Sequence, residues 1–308
     1  MRSIEIPDDV LVLALRQGGL LSSRQCDDLG VGRDTRTRLV AQGRWARLTR
    51  GVYDVAPGRP TTPDEARRRA AWAAMLAYGP DAVAVGACAL ALHGVRGLPA
   101  AVRPEASLPE ASARRARDGN RVRCFDPVAT VTIEGRRVAG LSDALVRTLP
   151  ELPRRNGLAV MDDVVHRRLL EPEEVETLLD RMAGRRGVRR VRTWWDHVDG
   201  RAESPFESFA RLECIDEGLP PDELQLEIHP PDGRGPVRGD LAWRLRGGRW
   251  LVVELDGEEF HSSPDAVLAD RVRQNRIAAT GWVDLLRFAW PDLGSMRIPT
   301  QVRRALMR

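Results

Sequence analysis

Three carboxylates toward the end of the chain have the residue type and spacing to do chemistry. Asp240 lies inside the strand expected at 237–245, and Glu254 interrupts the apolar run Trp-Leu-Val-Val-Glu-Leu at 250–255. Asp256 follows two residues later. Gly247-Gly248 between the two segments predicts a tight turn. The fourteen positions from Asp240 to Glu254 then make these two cross-strand neighbours, near enough to share a cation. The two-residue period of a strand points Glu254 and Asp256 to one face. Carboxylates on an otherwise apolar strand are costly to desolvate unless positive charge compensates. A divalent metal is the natural compensation, and Mg²⁺ (or Mn²⁺) suits a site of one or two carboxylates completed by waters and substrate phosphates. The alternative is that Glu254 is an ion-pair partner of Arg211 or Arg273.

The elements that must position these groups begin after Asp199-Gly200. Ser204-Pro205 starts a helix over 206–217 that Gly218 stops. Strands follow at 224–228, 237–245 and 250–255, then a helix at 264–280, a strand at 282–290 and a closing helix at 298–307. This α-β-β-β-α-β order over 201–308, with a hairpin feeding a buried strand, is the core order of the restriction-endonuclease-like fold.

The pairing of Asp240 with Glu254 resembles the Pro-Asp…(Asp/Glu)-x-Lys nuclease arrangement, with Asp256 where lysine would fall. The chain has no lysine at all: its 48 basic side chains are arginine, which a GC-rich genome explains most simply. The phrase Val-Val-Glu-Leu-Asp-Gly-Glu-Glu-Phe-His at 252–261 instead resembles the very-short-patch-repair endonucleases and their relatives. In that branch a histidine four residues after the glycine takes over acid/base work, and His261 stands there. Glu207-Ser-Phe-Ala-Arg211, Asp270-Arg271-x-Arg273 and Gly281-Trp282…Arg287-Phe-x-Trp290 resemble further elements of the family, so the likeness covers about 204–293. It implies a DNA endonuclease in which Asp240 and Glu254, with the Leu255 carbonyl, ligate the metal. Glu207 would orient a metal-bound water, and His261, beside Asp256, would act as general base or acid. Arg211, Arg273 and Arg287 would contact phosphate or serve as structural ion-pair members.

Residues 1–58 read as a winged helix. Helices are expected at 10–17, 23–29 (capped by Ser22) and 33–42, and two short strands at 45–48 and 51–55 are joined by Thr49-Arg50 as a wing. The second helix of a helix-turn-helix enters the major groove and reads bases through its early residues. Here those are Arg33, Thr35, Arg36, Thr37 and Arg38, donors suited to phosphates and guanine edges; a solvated arginine face is the plainer alternative. Gly-Leu-Leu-Ser-Ser-Arg-Gln (19–25) and Arg-Leu-Thr-Arg-Gly-Val-Tyr (47–53) resemble the N-terminal domain of AbiEi-type antitoxins, a family of abortive-infection transcriptional autoregulators.

Between a Pro/Gly linker at 57–63 and Gly200 the chain reads as a mostly helical scaffold. Helices are expected at 63–78, 82–93, 141–149, 157–170, 172–182 and 188–198, with strand-like pieces over 102–133. The helix 82–93 resembles the Ser-Ala-x-x-Leu-His-Gly segment of the AbiEi middle region, with Gly86 and Ala87 in place of its usual serine and alanine. His93 reads more simply as a helix cap than as a site. The i,i+4 pair Asp162 and His166 reads as a weak local contact. Cys26, Cys88, Cys124 and Cys214 form no CxxC, no apolar run approaches a bilayer span, and the acidic N-terminus lacks a secretory pattern.

The expectation is therefore a cytoplasmic α/β protein of three domains: winged helix 1–58, AbiEi-like middle scaffold 59–200 and restriction-endonuclease-like domain 201–308. Its first reading is a Mg²⁺-dependent DNA endonuclease, and its second a non-catalytic AbiEi-type autorepressor carrying an inactive nuclease fold. A net charge of +4 suits double-stranded DNA as partner. A toxin or defence partner and a homodimer are left open; a membrane is not expected.

Overall fold

A computed structural model describes residues 4–58, 62–108, 115–125, 127–257 and 264–308. Helix and sheet are mixed, and the described residues form three sheets. The chain divides into two compact units, Met1–Pro153 with Leu170–Thr193, and Arg154–Leu169 with Trp194–Arg308.

The first unit opens with α1 (Asp8–Arg16), β1 (Leu20–Ser22), α2 (Ser23–Asp28), α3 (Arg33–Ala41), β2 (Ala46–Thr49) and β3 (Val52–Asp54). Ser22 caps α2 through a capping box with Gln25, satisfying two otherwise orphaned amides. The strands form a three-stranded sheet in the order β1-β3-β2. Val10, Ala14, Leu21, Cys26, Val31, Leu39, Trp45 and Val55 make a shared core beneath the three helices. Gly51, at φ 81°, supplies the left-handed turn of the wing.

The middle segment departs from the mostly helical expectation. It contains α4 (Pro63–Tyr78), β4 (Val83–Ala84), α5 (Gly86–Leu92), β5 (Glu105–Ser107), β6 (Arg121–Arg123), β7 (Thr130–Ile133), β8 (Arg136–Ala139) and α6 (Leu141–Thr148). Its five strands form one sheet in the order β6-β5-β4-β8-β7. The expected helix at 82–93 is split, because Val83–Ala84 pairs with both β5 and β8. Gly86 then turns the chain into α5 at φ 60°, and a Cβ there would lie 1.8 Å from Glu105 Oε1. That contact, with the positive φ, leaves no room for a side chain at position 86.

The second unit gathers α7 (Arg154–His166) and the chain beyond α8 (Pro172–Arg181) and most of α9 (Val188–Trp195). It contains α10 (Pro205–Asp216), β9 (Glu223–Ile228), β10 (Val237–Arg244), β11 (Trp250–Asp256), α11 (Pro264–Ala278), β12 (Val283–Ala289) and α12 (Arg297–Leu306). The α-β-β-β-α-β order matches the expected elements. The sheet order is β12-β11-β10-β9, antiparallel except for the parallel β11–β12 pair. Phe206, Ala210, Ile298 and Val302 from α10 and α12 pack with Leu241, Trp243, Leu251, Val253 and Phe288. Ile277 of α11 packs with Ala242 and Val252 on the other side. Helices cover both faces, which is why β11 begins as the unbroken apolar run Trp250–Val253. Helix α7, read in the sequence as part of the scaffold, packs on α10 within this unit.

Candidate functional site

Two groups of residues need placing, the helix-turn-helix arginines and the carboxylates of the last sheet. Leu39 anchors α3 in its core, which leaves Arg33, Thr37 and Arg38 exposed. Thr37 Oγ1 donates to the Arg33 carbonyl at 2.9 Å. Among the described residues, no carboxylate pairs with the side chains of Arg33, Arg38 or, in the wing, Arg47 and Arg50. Arg36 is a correction. It sits three residues before Leu39, on the buried face of the helix, and is 5% exposed. Its guanidinium Nη1 donates to Asp27 Oδ1 at 2.5 Å, the Val31 carbonyl at 2.7 Å and the Ser23 carbonyl at 3.3 Å, and the group lies over the Tyr53 ring. Arg36 therefore ties α2, α3 and the wing together and is turned away from any base-reading surface.

In the second unit, the antiparallel register pairs Leu241 with Val253, and the next step along it sets Asp240 opposite Glu254. Leu255 also meets Asp240, but through its amide: the N–H donates to Asp240 Oδ2 at 2.7 Å. That bond engages the Leu255 amide and leaves the carbonyl, the group expected to ligate a metal, as a separate matter. Burial, then the charges of Glu207 and Glu254, push the Asp240 carboxyl up to about 7, against the Leu255 N–H and Arg273, which pull it down.

Glu207 lies in the first turn of α10, where the Ser204 hydroxyl accepts its amide at 3.3 Å. Its carboxylate accepts from the Glu203 amide at 2.9 Å and Gln225 Nε2 at 2.8 Å, and burial raises its pKa. Gln225 is a residue that sequence reasoning missed. It adopts φ 53°, and the β9–β10 ladder pairs Leu224 with Leu241 and Leu226 with Gly239 while skipping the step between them, opposite Asp240. A left-handed non-glycine residue beside buried carboxylates is the kind of strain that gathers at working sites. In the sequence it looks like any outward polar residue of an alternating strand. A cleft of about 450 Å³ opens here, lined by Asp240, Gln225, Glu203, Arg238, Arg273 and Arg276.

The remaining carboxylates are already neutralised. Glu254 is 4% exposed, with Arg273 Nη2 2.7 Å from Oε1 and Arg287 Nε 3.6 Å from Oε2. Of the two partners considered in the sequence, Arg273 is the one that meets it. Asp256 accepts from Arg287 Nη2 at 2.7 Å and Nε at 3.1 Å, a forked pair. Arg211 is a second correction: it is buried, and donates to Asp162 Oδ2 and the His197 carbonyl, both at 2.7 Å. The Asp199 amide donates to the other Asp162 oxygen at 2.8 Å. Arg211 thus locks α10 to α7 and is not available to phosphate. Asp162 is a keystone where the sequence suggested a weak surface contact, while His166 Nδ1 lies 2.9 Å from the Gly200 carbonyl. His261 lies outside the described residues.

As a cation site these residues divide. Asp240 fits, being a half-buried carboxyl crowded by Glu207 and Glu254 and forced up to about 7. Glu254 does not fit in this arrangement, because two guanidiniums face its oxygens. Among the described residues, no group of three or more His, Cys, Asp and Glu side chains is arranged to hold a metal ion. His93 is structural, its Nε2 2.8 Å from the Ala139 carbonyl. Burial pushes the Cys26 thiol up to about 11 and those of Cys88 and Cys214 to about 12, as expected of core fillers. No helix among the described residues is long and apolar enough to cross a membrane.

With that geometry in hand, the chain can be set beside known proteins. Two curated relatives, both uncharacterised proteins of Mycobacterium tuberculosis, from strains CDC 1551 / Oshkosh and ATCC 25618 / H37Rv, are 34% identical over 151 residues. The aligned part is 49% of this chain and 54% of each relative, so the chain spans about half the length of the proteins it matches. Residues 8–56 match the family model described as transcriptional regulator, AbiEi antitoxin. That match backs the regulator reading, which the sequence placed second, over the nuclease reading, which the comparisons do not support. An AbiEi-type regulator domain is therefore present over residues 8–56, on the winged-helix elements.

Proposed function

We propose that the chain is an AbiEi-type transcriptional regulator that binds double-stranded DNA through α3 and the wing. The observation that carries this reading is the coincidence of the family match with α3, whose Arg33 and Arg38 are exposed and unpaired among the described residues. Guanidinium forks at the start of a recognition helix can donate to guanine O6 and N7 or to phosphate oxygens. Arg47 and Arg50 on the wing would meet the neighbouring backbone. In keeping with the family's description, the partners would be operator DNA and a cognate toxin, in the cytoplasm. A gel-shift titration of the full chain on a duplex from upstream of its own coding sequence tests this. Wild type should retard it, and Arg33→Ala/Arg38→Ala should bind at least tenfold more weakly. Equal binding by the double variant would sink the reading.

One observation favours a second activity, Mg²⁺- or Mn²⁺-dependent phosphodiester hydrolysis: the half-buried Asp240 carboxyl beside a cleft rimmed by Arg238 and Arg276. A divalent ion held by Asp240 would supply an activated water and offset charge on the phosphate. For this chain's own part, Gln225 fixes the Glu207 carboxylate at 2.8 Å, and Arg238 or Arg276 would orient the phosphate only on exchanging Glu203 or Asp232 for it. Glu254 could contribute only after exchanging Arg273 for the ion. Nicking of supercoiled plasmid by wild type but not by Asp240→Asn would support this activity. Equal nicking by both would exclude it.

A further inference from the structure

We infer that the loop 115–119 of the middle segment shares the DNA backbone with the wing, with Arg115 joining Arg47 and Arg50 in one phosphate-binding surface. This rests on the regulator reading above and extends the footprint beyond residues 8–56.

The wing does not stand alone. Asp118 Oδ2 accepts from Thr49 Oγ1 at 2.5 Å and from the Arg50 amide at 3.2 Å, so the loop holds the turn of the wing. Those two hydrogen bonds, then the charges of Arg117 and Arg47, keep the Asp118 carboxyl below the usual carboxylate range. The loop is itself fastened to α4. The Tyr78 hydroxyl donates to the Arg115 carbonyl at 3.2 Å, and the Arg117 guanidinium lies over the Tyr78 ring and donates to the Ala77 carbonyl. Arg103 Nε closes the far side on the Gly119 carbonyl at 3.0 Å.

These bonds leave an open cleft of about 560 Å³ lined by Arg50, Tyr78, Arg115, Ala116 and Arg117. The Arg115 side chain is exposed and, among the described residues, meets no carboxylate. Among the described residues one acid lies in this cluster, Asp118; its Oδ2 is taken up by the wing, and its single negative charge offsets only part of the charge of Arg47, Arg50, Arg115 and Arg117. The result is a backbone fixed at Arg50 and Arg115 before any ligand arrives, so the two side chains start from set positions. Its continuity with the wing commits the surface to nucleic-acid phosphate, since a backbone leaving the wing presents a regular row of anions.

The test is fluorescence anisotropy of the full chain on a 30-base-pair duplex from upstream of its coding sequence, and on a scrambled duplex, between about 50 and 200 mM NaCl. One phosphate contact contributes about 0.9 to the slope of log K against log salt. Arg115→Ala should therefore flatten the slope by about that much on both duplexes, and the wild-type advantage should shrink roughly three- to fourfold across the range. Arg115→Glu should weaken binding further. Arg115 is exposed, and unchanged thermal melting of both variants excludes a folding defect. If both superimpose on wild type while Arg33→Ala/Arg38→Ala loses binding, the inference falls and the regulator reading stands. If wild type shows no salt-dependent binding, both fall.

Discussion

The arginines of the winged helix and those around the last sheet are the same residue in two different conditions. Around the sheet nearly every guanidinium near the carboxylates has an acid in reach. Arg238 meets Glu203, Arg276 meets Asp232, Arg273 meets Glu254 and Arg287 meets Asp256. On α3 and the wing, Arg36 is consumed inside, while the side chains of Arg33, Arg38, Arg47 and Arg50 form no ion pair among the described residues, Asp118 reaching only the Arg50 amide and feeling the charge of Arg47. Residues 201–308 hold 15 arginines against 18 acids, and the four guanidiniums named around the sheet are each paired with one of them. In a chain without lysine, arginine count says little about nucleic acid; what matters is whether a carboxylate is within reach.

The sharpest way to break this contrast is at the most buried pair. Arg211→Ala strands Asp162, which is 1% exposed, and removing one member of a buried pair costs about 3–5 kcal/mol. Urea unfolding should show a loss of that order, and a loss below about 1 kcal/mol would mean that Arg211 is not a structural lock. By contrast, Arg38→Ala should leave stability within about 0.5 kcal/mol, as expected for an exposed residue without a partner.

A smaller effect concerns Asp240. Its folded carboxyl holds a proton up to about pH 7, whereas the unfolded chain releases it near pH 4. Between those values the native state binds more protons, so stability falls as pH rises from about 4 to about 7 and then levels. The slope is at most about 1.4 kcal/mol per pH unit. Asp240→Asn should flatten it in denaturant melts taken across that range; parallel wild-type and variant profiles would contradict the buried-charge account. Addition of Mg²⁺ at pH 8 should stabilise wild type but not Asp240→Asn if Asp240 takes a cation.

Much of this was legible from the chain. The α-β-β-β-α-β order and the Asp240–Glu254 register followed from alternation around a Gly-Gly turn, because strand period and turn chemistry are local properties. The middle sheet was not legible: its strands run to only two to four residues, too short to show a period. The α5 start needed Gly86 and Glu105 to meet across nineteen positions. Arg36 could have been placed, since it shares a helix face with Leu39. Arg211 could not, because its partner Asp162 lies 49 residues away. Gln225 had no signal at all, as backbone sign is invisible in a strand-forming glutamine.

The central claim is that DNA binding through α3, not phosphodiester cleavage at Asp240, is the main activity. Transcription from the chain's own promoter, fused to a reporter, tests it most directly. Expression of wild type and of Asp240→Ala should repress the reporter equally, and Arg33→Ala/Arg38→Ala should restore it. Repression that survives Arg33→Ala/Arg38→Ala, or that is lost with Asp240→Ala in a stably folded protein, would contradict the account.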